Sequence, residues 1–405
     1  MHPKVKPALR RAWRDLQFVQ FGVTPAHAVV LGPLDTATGS LLDLFDGTRG
    51  LDLLREEARA LGLPEGRLEA LLSRMEAAGL MDDAAAGDPA VEVLRNEAGA
   101  LDRLRADVAS LSVVHGEPGG ALRRVAARRG MRVQVRGAGR VGAGIAALLS
   151  ASGVGRVEVL DSGRVEPWDV TPCGPPAAAV GERRDTAARR LVARSAPGGR
   201  PPRTVPGRAV AGSEPGLSLI VVAPRDGLAA YAPDPMPAED WVATGTPHLY
   251  AGVAEATGVV GPLVLPGGTA CARCLDMGRA DRDPAWPRMV AQWRSGRRGA
   301  VPPCDPGLAT MVAGLAAAHA LSFLDGGLPT STGARWEAAL PLLDWHTQRV
   351  TAHPGCPCGA AGRGEGEHPS AGGTGQDTMA GKPPPKDSRR RQTRHGSLGF
   401  GGAHV

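Results

Sequence analysis

The sequence predicts an α/β fold: a Rossmann-like parallel sheet with helices on both faces, preceded by a small winged-helix-like domain. From Met131 onward, short apolar runs alternate with helical segments, which is the pattern of a parallel sheet with crossover helices. Before residue 86, two strand-like runs are followed by three amphipathic segments. The length of 405 residues leaves room for both domains.

The first 86 residues have the pattern of a small unit of their own. We expect strands at 18–23 and 27–31, separated by a Thr-Pro turn, and helices at 40–45 and 51–61. A third helix is predicted from Pro64 to Gly79, because proline suits a first helical turn and glycine suits the exit. Residues 87–120 are predicted to form a linker and one helix, at 101–113.

Residues 121–360 carry the alternating pattern. Strands are predicted at 131–136, 156–160, 217–222 and 257–264, and helices at 141–150, 182–196 and 307–323. Beyond residue 360 the chain is rich in glycine, proline, serine, lysine and arginine, with almost no large apolar residue. Such a segment buries too little surface to offset its ordering entropy, so we expect a disordered basic tail at 361–405.

Charge and composition exclude several function classes. Half of the net charge of +6 lies beyond residue 360, so the body is mildly basic and we expect no nucleic-acid partner. The four lysines lie at positions 4, 6, 382 and 386, which excludes a Walker-A loop and a Schiff-base lysine. The sequence shows no run of 18 uncharged apolar residues and no signal-peptide core at its start. We therefore expect a cytoplasmic protein without a membrane span.

Two cysteine pairs give the strongest local signal. Cys271 and Cys274 form a C-x-x-C pair, and Cys356 and Cys358 form a C-x-C pair. Each short spacing brings two thiolates within reach of one ion, and tetrahedral zinc takes four sulfurs. The sequence therefore predicts a structural Zn²⁺ site that joins two distant segments. Buried free thiols and disulfides are the alternatives.

A glycine-rich turn is the second signal. Gly137, Gly139 and Gly142 form a G-x-G-x-x-G motif after a predicted strand and at the start of a helix, where backbone N–H groups can approach phosphates. Asp161 ends the next strand, and a carboxylate there can accept hydrogen bonds from ribose hydroxyls. The alternative is a tight strand-to-helix turn that binds nothing.

Of the two remaining cysteines, Cys304 is a candidate reactive thiol and Cys173 is not. Cys304 precedes the helix at 307–323, and a thiol near a helix N-terminus can have a lowered pKa, although the negative charge of Asp305 opposes this. The alternative is an incidental loop thiol. Cys173 has no acid–base partner in the sequence, and we interpret it as incidental.

Together these residues resemble the ThiF/MoeB/ubiquitin-activating superfamily of adenylyltransferases over about residues 121–358. The resemblance implies that ATP and Mg²⁺ activate the C-terminal carboxylate of a peptide or small protein as an acyl-adenylate. It gives a role to each matching residue: phosphate contacts for Gly137, Gly139 and Gly142, the ribose for Asp161, Mg²⁺ for Asp226, the position of a phosphate-binding lysine for Arg184, and a thiol that carries sulfur or the activated chain for Cys304. From their residue types alone, Asp226 could be a turn residue and Arg184 a solvated arginine.

The N-terminal unit resembles the PqqD-like peptide-recognition modules of ribosomal-peptide modification systems. That resemblance implies a precursor (leader) peptide bound as an added strand. A DNA-binding winged helix is the rival interpretation, and the net charge of −1 over 64–81 disfavours it.

Two functional hypotheses remain. The first is an adenylyltransferase in ribosomal peptide natural-product maturation, acting on a leader peptide or small carrier protein; a homodimer is compatible with it. The second is a degenerate scaffold that recruits the leader peptide to a partner modification enzyme. The second is favoured by the replacement of the family's lysine by Arg184, by Glu166-Pro-Trp-Asp-Val170 in place of an Asn-x-x-Arg segment, and by Ala223 in place of a first aspartate. A nicotinamide dehydrogenase would explain the glycines but not the cysteine pairs.

Overall fold

The computed structural model describes residues 1–198, 216–296 and 301–362. The tail predicted at 361–405 lies, apart from its first two residues, outside the described part of the chain. The described residues form an N-terminal unit, three connecting helices and a domain built on a seven-stranded sheet.

The N-terminal unit consists of two small antiparallel sheets and three helices. Its elements are β1 (Pro3–Val5), β2 (Arg11–Trp13), β3 (Val19–Phe21), β4 (Val29–Leu31), α1 (Thr36–Asp43), α2 (Leu51–Ala60), α3 (Arg67–Ala77) and β5 (Met81–Asp83). Strands β2, β3 and β4 pair in that order, and β1 pairs with β5. The apolar faces of the helices and of β3 form one core, in which Phe21, Leu54 and Met75 are fully buried.

The two predicted strands of this unit are present, and three more were missed. Each of the five strands has three residues, but β1, β2 and β5 contain charged residues and lie outside the apolar runs from which the other two were predicted. The prediction that the third helix starts near Pro64 was wrong. Gly66 takes a φ of 80°, a left-handed conformation that cannot continue into a helix from Pro64, so α3 begins at Arg67.

The segment predicted as a linker and one helix is largely helical. It contains α4 (Pro89–Asn96) and α5 (Ala100–Val114) and leads into α6 (Gly120–Arg128). Asp88 caps α4 by accepting a hydrogen bond from the N–H of Val91 at 2.9 Å. The three helices share a small apolar core around Leu94 and Leu104.

Buried polar contacts tie the N-terminal unit to these helices. The Nζ atom of Lys6, a buried residue, donates to the carbonyl oxygens of His115 at 2.8 Å and Gly116 at 3.3 Å. The carboxylate of Asp82 accepts a hydrogen bond from the N–H of Gly119 at 2.6 Å. The connection between α5 and α6 is therefore a docking point for the N-terminal unit.

The main domain is built on one seven-stranded sheet in the order β12-β11-β10-β9-β8-β6-β7. Its strands are β6 (Arg132–Arg136), β7 (Arg156–Leu160), β8 (Leu219–Val222), β9 (His248–Ala254), β10 (Thr257–Val264), β11 (Ala334–Ala339) and β12 (His346–Arg349). The strands from β7 to β9 are parallel, and those from β9 to β12 pair antiparallel. The antiparallel half extends the parallel sheet that the sequence predicts.

Helices cover both faces of the sheet. They are α7 (Arg140–Ala151), α8 (Arg184–Ser195), α9 (Leu228–Tyr231), α10 (Met236–Ala243), α11 (Ala272–Arg282), α12 (Trp286–Ser295) and α13 (Pro306–Leu324). Leu219 and Val221 of β8 pack on one face in the core that includes α7 and α13, whereas Ile220 packs on the other face against Trp241 of α10. This alternation confirms the predicted Rossmann-like α/β fold.

Helix α13 bears on the expectation that the chain has no apolar run long enough to span a membrane. Among the described residues it is the one helix long and apolar enough to cross a membrane by length and composition. It packs against α7, β9 and β10, and Val312, Ala316 and Ala320 are fully buried there. Its apolar composition is therefore accounted for by the core of the domain.

Candidate functional site

The glycine-rich turn connects β6 to α7 at the carboxyl end of the parallel sheet. Gly137 has a φ of 112°, and a Cβ atom there would lie 2.0 Å from the carbonyl oxygen of Ala223. A Cβ atom on Gly142 would lie 2.1 Å from the carbonyl oxygen of Gly137. Side chains at these two positions would collide with backbone, so the turn requires glycine. Gly139 precedes the first turn of α7, whose N–H groups lack helical partners.

A cavity of about 230 Å³ opens beside this turn. Its walls come from the start of α7, from Trp168 and Asp169, from residues 223–225 after β8, and from residues 301–305 before α13. Ligands of open α/β sheets bind outside the carboxyl ends of the strands, and the cavity lies there. The start of α7 and the side chains of Arg140 and Arg225 line the cavity, and so do the carboxylates of Asp169 and Asp305. The helix N–H groups and the two arginines are groups that can bind an anion.

Asp161 and Arg184 lie beside the turn and are bound to each other. The guanidinium of Arg184 contacts both carboxylate oxygens of Asp161, from Nε at 3.1 Å and from Nη2 at 2.9 Å. Burial raises the pKa of Asp161, but the hydrogen bonds from Arg184 and from the N–H groups of Gly163 and Ala138 outweigh it and hold this pKa below its ordinary value. Asp161 is therefore a carboxylate with its charge already neutralised.

Asp169 and Arg225 form a second ion pair in the cavity wall. The Nε atom of Arg225 donates to Asp169 at 2.7 Å, and the guanidinium lies 5.8 Å from the ring centroid of Trp168. Asp169 also accepts the N–H of Glu166 at 2.9 Å, and Nη1 of Arg184 lies 3.8 Å from its carboxylate. A row of alternating charges thus runs from Asp161 to Arg225.

Asp226 lies directly after the three cavity residues that follow β8. Its carboxylate accepts a hydrogen bond from the N–H of Leu228 at 3.1 Å, which turns the chain into α9. Oxygen ligands of this kind suit Mg²⁺, which binds one or two carboxylates together with substrate phosphates. The position of Asp226 fits the role that the resemblance gives it, and that role stays a prediction.

Cys304 lines the cavity, but its thiol is not activated. Burial raises the pKa of Cys304, the charge of Arg140 lowers it and that of Asp305 raises it, and together they bring this pKa to about 11. The expected lowering by the helix N-terminus is therefore not seen, because desolvation of the thiolate dominates. Arg140 holds this segment in place: its Nη1 donates to the carbonyl oxygen of Cys304 at 2.6 Å and its Nε to that of Trp168. Cys173 is exposed.

The two cysteine pairs meet about one point. The distances between Sγ atoms are 3.8 Å for Cys271 and Cys274, 3.6 Å for Cys271 and Cys356, and 3.5 Å for Cys274 and Cys358. All four sulfurs lie within 4.8 Å of one another. A tetrahedron with Zn–S bonds of about 2.3 Å has edges of about 3.8 Å, so the cluster has the size of a four-sulfur zinc site. At these separations no two of the sulfurs are joined by a disulfide bond.

The second cysteine pair is supported by a contact with α11. The Nε2 atom of His353 lies 2.9 Å from the carboxylate of Asp281, and Nδ1 of His353 accepts the N–H of Gly355 at 3.0 Å. Cys271 stands immediately before α11 and Cys274 lies in its first turn. The cluster therefore joins the start of α11 to the segment that follows β12.

Three residues of the cavity were not singled out from the sequence: Arg140, Asp169 and Arg225. Two sequence signals were available. Arg140 is one of the variable positions of the glycine motif itself, and Arg225 directly precedes Asp226. The pairing of Arg225 with Asp169 carried no such signal, because 56 positions separate the two residues.

Comparisons with solved structures and with protein families agree on the main domain. The chain is similar to E. coli MccB with AMPCPP and MccA (TM-score 0.63, 16% identity, 89% of this chain and 100% of that one). It is also similar to the microcin C7 biosynthetic enzyme MccB with N-formylated MccA (0.62, 15%, 89% and 100%) and to PaaA (0.60, 15%, 85% and 99%). At such identities the likeness establishes the fold. No curated protein sequence matches the chain.

The family itself is established by sequence. Residues 117–358 match the ThiF family, a span that includes the glycine turn, the cavity and all four clustered cysteines. This span begins within four residues of the expected start at 121 and ends at the last clustered cysteine, Cys358. The resemblance inferred from the motifs is thereby confirmed for the main domain, and the chain belongs to the ThiF family.

Proposed function

We propose that this protein is an ATP-dependent adenylyltransferase of the ThiF type, which activates the carboxylate of a peptide or small protein. The observation that carries the proposal is the cavity at the glycine turn of a ThiF-family domain, where helix N–H groups and arginines face one space. In this reaction a carboxylate oxygen attacks the α-phosphorus of ATP. The new O–P bond gives the acyl-adenylate, and pyrophosphate leaves with the electrons of the broken bond.

Each part of the site supplies a chemical requirement of that step. The N–H groups at Gly139 and the start of α7 are suited to hold phosphate oxygens, with Gly137 and Gly142 allowing the close approach. Asp226 would hold Mg²⁺, which offsets the repulsion between the phosphates. The roles that the resemblance gives Asp161, Arg184 and Cys304 stay predictions, since the first two are bound to each other and the thiol is protonated at neutral pH.

The substrate we propose is a precursor peptide in ribosomal natural-product maturation. Its leader would bind the N-terminal unit as an added strand, in the manner of PqqD-like modules. Strands β2 and β4 are the edges of the three-stranded sheet, and apolar side chains nearby are exposed, among them Trp13, Val23 and Val30. Related folds bind peptides: MccB structures contain MccA. Backbone pairing at an edge gives affinity, and the apolar side chains give specificity.

Structural zinc, a cytoplasmic location and the absence of a nucleic-acid partner complete the proposal. The four-sulfur cluster leaves no position for substrate on a tetrahedral ion, so its role would be to hold α11 against the segment after β12. A homodimer and a partner modification enzyme are compatible with this arrangement. So are the proposed domain limits of 1–86, 87–120 and 121–360.

A second candidate is a scaffold that binds the leader peptide and recruits a partner enzyme without turning over ATP. The pairing of Asp161 with Arg184 favours it, because the two side chains that the resemblance assigns to the nucleotide contact each other instead. The two candidates share the fold and the peptide-binding unit. They differ in whether the cavity performs chemistry.

The deciding experiment is peptide-dependent exchange of labelled pyrophosphate into ATP, with Mg²⁺ and the cognate precursor peptide. For the enzyme we expect exchange by the wild type, loss of exchange in Asp226→Ala, and exchange at the wild-type rate in Cys304→Ala, because the thiol would act after the adenylate forms. Asp102→Asn is the matched control, because it changes an exposed carboxylate of α5 that does not line the cavity. Wild-type protein that binds the peptide without exchange would establish the scaffold and reject the enzyme.

A further inference from the structure

Arg184 and Arg225 lie near the glycine turn, and they differ in how many of their N–H donors are already bound. Arg184 has every guanidinium nitrogen committed. Its Nε and Nη2 atoms contact Asp161 at 3.1 and 2.9 Å, and its Nη1 donates to the carbonyl oxygen of Arg164 at 2.6 Å. Three of its five N–H donors are thus engaged, and these contacts hold the guanidinium against Asp161.

The carboxylate of Asp161 is equally saturated. One oxygen accepts from the N–H of Ala138 at 2.8 Å and from Arg184, and the other accepts from the N–H of Gly163 at 2.8 Å and from Arg184. A carboxylate has about four lone-pair positions, and four donors occupy them. The ribose hydroxyls of a nucleotide would therefore find no vacant acceptor on Asp161 while Arg184 is in place.

Arg225, in contrast, has a guanidinium nitrogen without an acceptor in the described part of the chain. Its Nε atom is fixed by Asp169 at 2.7 Å, which orients the guanidinium, while its Nη2 atom is buried and has no hydrogen-bond acceptor among the described residues. Arg225 lines the cavity, and its Cγ would lie 3.1 Å from a Cβ atom on Gly139. A buried guanidinium nitrogen without an acceptor costs free energy unless a ligand supplies one.

We propose that the cavity binds the nucleotide through its phosphates, with Arg225 rather than Arg184 as the phosphate-binding cation, and without recognition of the ribose 2′-hydroxyl by Asp161. This inference rests on the proposed use of ATP at the same site. Arg225 and the N–H groups at Gly139 face one space, so a phosphate there meets a cation and backbone donors together. The cavity volume of about 230 Å³ is less than the ~300–1,000 Å³ of usual small-molecule pockets, which suits the phosphate part of the ligand.

The test is a calorimetric measurement of binding, which does not depend on turnover. The probes are MgATP, Mg-2′-deoxy-ATP, inorganic triphosphate and adenosine. We expect the wild type to bind ATP and 2′-deoxy-ATP within about twofold of each other, because the 2′-hydroxyl meets no vacant acceptor. Inorganic triphosphate should bind, and adenosine should bind at least about a hundredfold more weakly than ATP, because it lacks the charged group.

Variants of Arg225 and Arg184 show which of the two arginines contributes to phosphate binding. Arg225→Gln should weaken ATP and inorganic triphosphate by about tenfold to a hundredfold, the usual effect of losing a hydrogen bond between charged groups. Arg225→Lys, which keeps the charge, should lose less and guards against misfolding of the first variant. Arg184→Lys should leave triphosphate binding within about threefold of the wild type. Arg189→Gln removes an exposed arginine of α8 and is the matched control.

Several results would overturn the inference. They are a preference for ATP over 2′-deoxy-ATP of more than about tenfold, a loss on Arg184→Lys as large as that on Arg225→Gln, and a wild type that binds no triphosphate. The proposed function is judged separately. If binding follows the expected pattern but no pyrophosphate exchange occurs, phosphate recognition by Arg225 stands and the adenylyltransferase proposal fails.

Discussion

Removing one ligand of the four-cysteine cluster should destabilise the main domain severely. The perturbation is Cys358→Ser, and the matched control is Cys173→Ser, which changes an exposed cysteine outside the cluster. We expect about one zinc per chain in the wild type and in the control. We expect little or no zinc in Cys358→Ser, because three thiolates hold the ion far more weakly than four.

The magnitude follows from the chain that the cluster closes. Cys271 and Cys356 are 85 positions apart, and a cross-link over a loop of that length is worth about 4 to 5 kcal/mol in the chain-entropy model. The free energy of unfolding of a typical domain is about 5–15 kcal/mol, so loop closure alone is a third or more of it. Zinc binding itself is worth about 10–16 kcal/mol in small structural sites, so the total effect should exceed the entropic part.

The assay combines metal analysis of the purified protein with urea unfolding in the presence and absence of a chelator. The wild type and Cys173→Ser should unfold at lower urea after chelation, whereas Cys358→Ser should start at the lower value and not respond. Wild-type protein without zinc, purified without chelator, would refute the metal site. A Cys358→Ser variant that unfolds at the wild-type urea concentration would refute its structural role.

Three other predictions concern buried groups. Burial lowers the pKa of His248 to about 4, so its neutral form stabilises the fold above pH ~6.5 and that contribution is lost as pH falls toward 4. In urea unfolding, the wild type should therefore lose about 3 kcal/mol more than His248→Phe over this interval; equal pH profiles would contradict it. Alkylation of Cys304 by iodoacetamide should rise about tenfold per pH unit up to pH ~10, and a plateau near neutral pH would show that the thiol is activated. The ion pair of Arg128 and Asp325, 2.6 Å apart with both side chains 3% exposed, should make Arg128→Ala cost about 3–5 kcal/mol of unfolding free energy, against about 0.5 or less for the exposed Arg105→Ala.

Long elements of the main domain were predictable because their patterns are local. Strands β7 and β10 occupy the residues expected, and α13 differs by one residue at each end, since a run of apolar residues bounded by turn signals marks such elements clearly. Strands β1, β2 and β5 were missed because each is short and contains charged residues, and β1 and β5 pair with each other from opposite ends of the N-terminal unit. In the antiparallel half of the sheet, β10 was predicted, whereas β9, β11 and β12 were not.

In the site, too, features with a local sequence pattern were predictable, whereas features that depend on tertiary contacts were not. The spacing of the four cysteines predicted that they lie together, and the structure brings their sulfurs within 4.8 Å of one another. The contacts of Arg184 could not be read from its position, because the residue type at a family position does not say which acceptor is nearest in space. The raised pKa of Cys304 likewise depends on how deeply the segment before α13 is buried, which no local pattern records.

The docking of the N-terminal unit through Lys6 and Asp82 has a consequence for substrate selection. Both contacts are made to the connection between α5 and α6. The edge strands β2 and β4, which we propose to bind the leader peptide, would therefore be held at a set separation from the glycine-turn cavity. An extended chain spans at most about 3.3–3.6 Å per residue. A precursor whose spacer is too short could then not place its terminus in the cavity while its leader is bound. The protein would therefore select precursor peptides by the length of this spacer as well as by the sequence of the leader.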